Sequence, residues 1–563
     1  MAKQNVLTRA KKQQVQTLLQ ERRLHEAREL LQQVCNTDRH DIEAWLHLAA
    51  LNGQLGDFQA AEQCARHAIG FDNKHPSAFY ILGMAFAQQG KNDDAITSYQ
   101  KAVALQPDFV EALINLGNLQ NMAGKLDAAI ACYEKALTLL PGDPALLSVT
   151  GTTYVELDQP EQAIPLLQQA VAKDPSDTES YTNLGIACSK AGQFDEALAA
   201  FKQAISRNPQ LAQAHYNLGK LYRNMGMLDE AVTCYQQAHQ QLPENHDITH
   251  NLSLVELLQG KFATAWEHYL ARPSRQVQPP ARDTLPSDLH DQQFLLLKEQ
   301  GIGDEIFFLR FADVLKQRGA RLTYAPSEKI AEIVARANII DNIIGADETP
   351  VKTDYRLSVC DLPWLLEMKT AEDIPPPLAL KADESRRETI QALLADAGPG
   401  PYIGVSWRAG TTPPQTTGKR RSLHTLLYKE IPCKSLADTL RPLRATVVVL
   451  QRNPVDDEIQ QLENELGRKV LDCTDMNDTL NDMLVMLDMI DAYVCVSNTN
   501  VHLRAGLGKK CHVLVPHPPE WRWLAEGERS PWFPTCNVYR QAVNGDWANA
   551  LSKLQSDLVA QYS

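Results

Sequence analysis

The stretch TESYTNLGIACSKAGQFDEALAAFKQAISRNPQL, residues 178–211, runs straight into AQAHYNLGKLYRNMGMLDEAVTCYQQAHQQLPEN, residues 212–245. Laid over each other, these two 34-residue segments share Asn183 with Asn217, Leu184 with Leu218, Gly185 with Gly219, Ala197 with Ala231 and Pro209 with Pro243. Outward from them, alanine keeps the same interval at Ala27, Ala61, Ala95, Ala129, Ala163 and Ala265, and glycine at Gly83, Gly117 and Gly151. Small residues in that register predict two helices that approach closely within each repeat. Proline returns at Pro107, Pro141 and Pro175, where a fixed φ and a missing N–H stop a helix. The period predicts a stacked helix–turn–helix array, which offers a long binding surface.

This pattern resembles the tetratricopeptide-repeat family over residues 8–272, about eight repeats. The first repeat lacks the glycine, as a terminal repeat facing water would, and the last runs into Arg272-Pro273. A second register holds Asn115, Asn183, Asn217 and Asn251, each two residues before the glycine position. In arrays of this family that position lies on the concave surface. An amide there can donate to and accept from an extended backbone. The row is similar to the asparagines of O-GlcNAc transferase arrays and implies a bound acceptor polypeptide. A tolerated polar helix residue would look the same, and Ile81 and Val149 interrupt the row.

At 563 residues the chain divides into several domains, and 44% hydrophobic with 22% charged residues is ordinary for a soluble protein. The net charge of −14 is spread along the chain with no basic stripe, so no nucleic-acid partner is expected. No apolar stretch reaches the length of a membrane span, and the polar start has no signal-peptide core. Eleven cysteines show no CxxC or other metal-type spacing, so reduced thiols, no metal site and a cytoplasmic location are expected.

Residues 273–291 carry four prolines and read as a linker. Beyond them the pattern changes to alternating strands and helices. Strands are expected at 294–298, 322–325, 339–344, 355–359, 402–407, 446–451, 492–497 and 511–516, with one amphipathic helix over 305–318. The sequence Gly398-Pro399-Gly400-Pro401 divides the region into two α/β units, 292–397 and 398–563. Open α/β sheets bind ligands beyond the carboxyl ends of their strands, which directs attention to three loops.

The first loop is Gly301-Ile302-Gly303-Asp304. Its glycines permit a tight turn and close approach, and Asp304 is either a helix cap or a catalytic carboxylate. The second follows a strand at Arg408 and continues to Lys419-Arg420-Arg421-Ser422; its cations suit a diphosphate, though a surface basic loop would look alike. The third is Ser497-Asn498-Thr499-Asn500-Val501-His502, where a helix start could hold an anion. There His502 either contacts phosphate or fills a polar gap between domains.

Taken in order, these blocks resemble bacterial tetratricopeptide-linked glycosyltransferases, a group similar to the ADP-heptose–lipopolysaccharide heptosyltransferases. The resemblance covers roughly 294–545. It rests on 299–304 with Phe311-Ala312, Gly404-Val405-Ser406-Trp407, Arg421-Ser422, His502-Leu503, Glu520-Trp521-Arg522-Trp523 and 530–534. It implies a GT-B pair of Rossmann-like domains behind the α-solenoid and a metal-independent, inverting glycosyl transfer that needs no cofactor beyond a nucleotide-sugar co-substrate. It also implies Asp304 as general base. Donor contacts would come from Gly301, Gly303, Arg408, Lys419, Arg421, Ser497, Asn498, Thr499 and His502. The acceptor would be a protein, with flagellin suggested by analogy. Transfer to a lipopolysaccharide or other glycan precursor, and an inactive repeat scaffold, are the alternatives. Related enzymes often carry Asp-Thr where this chain has Ser497-Asn498.

Overall fold

A computed structural model describes residues 2–275, 285–345, 353–409, 429–455 and 457–562. The chain forms two compact units, residues 1–207 and 208–563. The change of sequence pattern lies at 272, so the last two repeats group with the α/β region rather than with the other six.

The first unit is six helix pairs. They run from Ala2–Gln20 with Leu24–Thr37 to Thr178–Lys190 with Phe194–Arg207. The 34-residue alanines explain the packing: Ala27, Ala95, Ala129, Ala163 and Ala197 have no exposed surface, and Ala61 has 1%. The glycines face rings from the paired helix. A Cβ on Gly83, Gly117 or Gly185 would meet Tyr99, Tyr133 or Phe201 at 2.5–2.7 Å, closer than carbon atoms approach. A third periodic feature sits in the turn between paired helices. Arg22, Gly56, Gly90, Gly124, Asp158 and Gly192 all have positive φ, which glycine adopts without strain.

The second unit begins with two further helix pairs, Ala212–Asn224 with Leu228–Gln241 and His246–Leu258 with Phe262–Tyr269. Two wholly parallel sheets follow. In the first, β1 (Gln293–Leu297), β2 (Arg321–Ala325), β3 (Asn342–Ile343) and β4 (Tyr355–Ser358) lie in the order β3-β2-β1-β4. The second has the order β10-β9-β8-β5-β6-β7. Its strands are β5 (Tyr402–Ser406), β6 (Thr446–Val449), β7 (Leu471–Asp472), β8 (Ala492–Val496), β9 (Cys511–Val515) and β10 (Cys536–Arg540). Strands β8 and β9 are buried throughout, which explains the apolar run of β8 and that of β9 on either side of His512, whose Nδ1 bonds Tyr539 Oη at 2.9 Å. The expected long helix over 305–318 is two, Ile302–Phe308 and Arg310–Gln317. Neither β7 nor β10 was expected from the sequence: the first has two residues, and the second mixes polar and apolar side chains.

The last repeat is joined to the first sheet through a buried ionic network. Arg272, whose side chain is wholly buried, donates to both oxygens of Glu299 at 2.6 Å and to Asp361 at 2.6 Å. Arg275 adds a second contact to Asp361 at 3.1 Å, and Ser274 donates to Glu299 at 2.7 Å. Glu299 and Asp361 lie just beyond the carboxyl ends of β1 and β4. Around this network Trp266 and Tyr269 of the repeat pack edge-on against Trp521, and Trp266 likewise meets Phe308 and Trp532.

No helix among the described residues is long and apolar enough to cross a membrane. All eleven cysteines are free thiols.

Candidate functional site

Loops that leave β1, β8 and β9 at their carboxyl ends converge. After β1 the chain turns through Gln300, at φ 65°, and enters helix Ile302–Phe308. Gln300 donates to Tyr269 Oη at 3.0 Å, tying this turn to the last repeat. Gly303 lies against the start of helix Thr499–Gly506. A Cβ there would be 3.3 Å from His502 Cδ2 and 3.5 Å from Thr499 Oγ1. A side chain at 303 would thus have to displace the His502 ring by a few tenths of an ångström, and the two sequence-distant loops lie against each other.

Asp304 does both things its sequence context allows. Its Oδ2 accepts from the Gly301 N–H at 3.2 Å, capping the helix, and its Oδ1 accepts from Arg522 Nη2. Arg522 belongs to the segment after β9, and its side chain is 8% exposed against 26% for Asp304. It stacks on Phe307 and Trp521 at 4.7 and 4.5 Å and approaches Glu520 at 3.4 Å. Burial alone would lower the Arg522 pKa, but Asp304 and Glu520 outweigh it and raise the value. Glu520 in turn pairs with Lys429 at 2.7 Å. Burial pushes its carboxyl up, yet Lys429, Arg522 and a hydrogen bond to Ser497 hold it down at about 2. Asp304, Arg522, Glu520 and Lys429 thus form a chain of alternating charge.

His502 is buried between Phe307 and Phe533, edge-on to both. Burial first, then the charges of Arg522 and Arg310, push its pKa well below the usual histidine range, so the imidazole is neutral at pH 7. Its Nδ1 has no hydrogen-bond partner among the described residues. Arg310 is also buried, donating to the carbonyls of Phe307 and Trp532 at 3.0 and 2.7 Å, and burial pushes its pKa down to about 9. The neutral imidazole therefore lies beside cations that are held by carboxylates or by backbone carbonyls.

The remaining expected donor residues are placed differently. Asn498 is the N-cap of helix Thr499–Gly506, accepting from Val501 N at 3.2 Å and donating to Tyr493 Oη at 3.1 Å. Ser497 is buried beside Glu520. Arg408 is buried, with Nη2 on Glu458 at 2.8 Å and on the Asn453 carbonyl at 3.2 Å. Its charge is compensated locally, and it makes none of the contacts that join Asp304, Thr499 and His502. Lys419 and Arg421 lie outside the described residues. Among the described residues no group of three or more His, Cys, Asp or Glu side chains is arranged to hold a metal.

Within the first unit, Asn115 donates to Tyr80 Oη at 3.4 Å and Asn183 to Thr152 Oγ1 at 2.8 Å, both in the preceding repeat. In the second unit, Asn217 is buried and donates to the Gln213 carbonyl of its own helix. Asn251 donates to Tyr216 Oη at 3.2 Å and accepts from Arg223 at 3.0 Å. Asn115, Asn183 and Asn251 are thus oriented by neighbouring side chains, whereas Asn217 is buried against its own helix rather than presented on the surface that its register led us to expect.

Sequence reading missed the roles of Arg522, Glu520, Lys429 and Arg310. The Arg522–Asp304 pair spans 218 residues, and no local pattern encodes such a contact. Two signals pointed to the region without assigning roles: 520–523 is one of the blocks of the family resemblance, and it follows a buried parallel strand at its carboxyl end.

Tetratricopeptide-repeat patterns match residues 42–75, 80–144, 121–185 and 212–245, and a further TPR pattern matches 187–226. The N-terminal half is an array of tetratricopeptide repeats. Protein FlbA of Caulobacter vibrioides is 24% identical over 330 residues, covering 54% of this chain and 53% of that protein. The chain therefore spans about half the length of this curated relative. Among solved structures, YrrB, described as a TPR protein with an unusual peptide-binding site, is 26% identical, covering 33% of this chain and 96% of that one at a TM-score of 0.31. MamA is 26% identical, covering 31% and 94% at a TM-score of 0.29.

Proposed function

We propose that this tetratricopeptide-repeat protein is a metal-independent glycosyltransferase of GT-B architecture, acting on a polypeptide held by its repeats. The observation that carries the proposal is the meeting of the Gly303–Asp304 loop with Thr499, His502 and Arg522 beyond the carboxyl ends of two parallel sheets. In the proposed reaction an acceptor hydroxyl attacks the anomeric carbon of a nucleotide-sugar. The new C–O bond forms as the bond to the diphosphate breaks, the hydroxyl proton passes to Asp304, and the nucleoside diphosphate departs. The start of helix Thr499–Gly506 would face the leaving group, and Arg522 would lose one balancing negative charge as Asp304 takes the proton. Flagellin is the acceptor suggested by the family resemblance, and a glycan precursor is the alternative acceptor. The repeats favour a polypeptide.

Incubation with cell lysate and a panel of labelled nucleotide sugars tests this. Label on a protein band that disappears with Asp304→Asn is the expected result. A second reading, a repeat scaffold without turnover, is favoured by the engagement of both Asp304 oxygens and by the lack of a carboxylate at Ser497-Asn498. Absence of transfer with every donor, together with no thermal stabilisation by millimolar nucleoside diphosphates, would establish that reading instead.

A further inference from the structure

A groove separates the last two repeats from the segment after β9. Leu254 and Leu258 form one wall; Trp521, Trp523 and prolines of 516–519 form the other; Arg223 lies on the repeat side and Lys429 with Glu520 on the sheet side. Two bonds fix the walls: His517 Nε2 donates to the Asn224 carbonyl at 2.9 Å, and Ala525 N donates to the Leu258 carbonyl at 3.0 Å. The groove is thus formed in the free protein, and an occupant need not order it.

Its charges are unequal. Lys429 and Glu520 neutralise each other. Arg223 has no carboxylate within ion-pair distance among the described residues. Its guanidinium is held instead by the neutral amide of Asn251, at 3.0 Å. A pre-oriented, uncompensated guanidinium beside apolar walls calls for a carboxylate carried by a largely apolar group. Asn251 belongs to the asparagine register of the repeats, so the groove continues the surface assigned to polypeptide binding. At the other end Trp521 is adjacent to Arg522, the partner of Asp304.

We infer that this groove docks an extended polypeptide bearing an apolar side chain next to an aspartate or glutamate, with the carboxylate on Arg223. The inference rests on the polypeptide-acceptor reading above and deepens it by naming what in the acceptor is recognised. One monovalent cation without a carboxylate partner among the described residues, set between leucine and tryptophan walls, fits a carboxylate better than a diphosphate, which needs more than one positive charge.

The test uses the full chain and three decapeptides, capped at both ends and labelled with a neutral dye, that differ only in Glu, Gln or Lys after a single Leu in a Gly-Ser background. Fluorescence polarisation should show the Glu peptide binding about tenfold tighter than the other two, with the difference shrinking in high salt. Arg223→Gln should abolish the preference, and Arg223→Glu should reverse it toward the Lys peptide. Arg223→Lys should keep part of it, which separates loss of charge from loss of fold; thermal melts check each variant. Equal binding of the three peptides, no binding by any at 1 mM, a preference that survives Arg223→Gln, or displacement of the peptide by a nucleoside diphosphate overturns the inference. Transfer assayed separately with labelled sugars is independent of these outcomes. Sugar transfer without the peptide preference sinks only the groove assignment, and the preference without transfer sinks only the enzyme assignment.

Discussion

Replacing Arg272 with Met should destabilise the second unit severely. Arg272 contributes no exposed side-chain surface, while Glu299 and Asp361 are 3% and 1% exposed. Methionine fills much of the volume but, among the described residues, leaves Glu299 with serine hydroxyls alone and Asp361 with Arg275 alone. Stranding a buried charge in this way costs about 3–5 kcal/mol. For a cooperative unit spanning 208–563, the unfolding entropy is roughly 0.75 kcal/mol/K, so the melting temperature should fall by about 4–7 °C. Tryptophan fluorescence is a suitable readout, because Trp266, Trp521 and Trp532 pack together near Arg272. The pH dependence adds a second constraint. Burial pushes the Glu299 carboxyl up, but Arg272 and the two serines outweigh it and hold the carboxyl below its ordinary 4.5. A carboxylate depressed in the folded state stabilises above its unfolded pKa, and that contribution is lost as pH falls through the folded value. In Arg272→Met the upward push of burial loses its main opponent, so the gap between variant and wild type should narrow as pH falls toward and below 4.5. The triple variant Arg272→Met, Glu299→Gln, Asp361→Asn should recover much of the loss. A single variant melting within 1 °C of wild type, or a triple variant no better than the single at pH 7, would refute the argument.

The remaining predictions concern close packing and protons. Gly303→Val sets a branched side chain where a Cβ alone would lie 3.3 Å from the His502 ring and should cost about 1–3 kcal/mol in urea denaturation, more than Gly303→Ala; a valine variant as stable as wild type would contradict the close approach. Gly185→Ala sets a Cβ 2.6 Å from Phe201 and should destabilise the first unit by about 1–3 kcal/mol in urea denaturation, with Phe201→Leu relieving most of it. Burial pushes His512 down to about 4, so the unfolded chain binds its proton first as pH falls from 6.5. Stability should therefore decline between pH 6.5 and 4, by roughly 3 kcal/mol at most from this residue, and His512→Gln should flatten that part of a denaturation-versus-pH curve. An unchanged slope would show that His512 is not held neutral.

The 34-residue period alone determined the repeats, because each is a local helix pair whose packing needs recur at fixed spacing. Ala129 and Gly117 are small because Tyr133 and the paired helix leave no room, and that need is written in sequence every 34 residues. Most strands of the two sheets were legible for a similar reason: burial on both faces demands apolar runs such as 492–496. The candidate site was legible only in pieces. The sequence presented Asp304 as cap or base, His502 as phosphate contact or polar filler, and Arg408 beside a basic loop. Tertiary structure alone brought Gly303 against His502, set Arg522 on Asp304 and turned Arg408 toward Glu458. It also seated the last two repeats against the sheets through Arg272. Charge pairs between loops that leave different strands depend on how two sheets and a repeat are placed together. That placement is fixed by the summed packing of the whole unit, so it has no spacing by which a sequence could announce it.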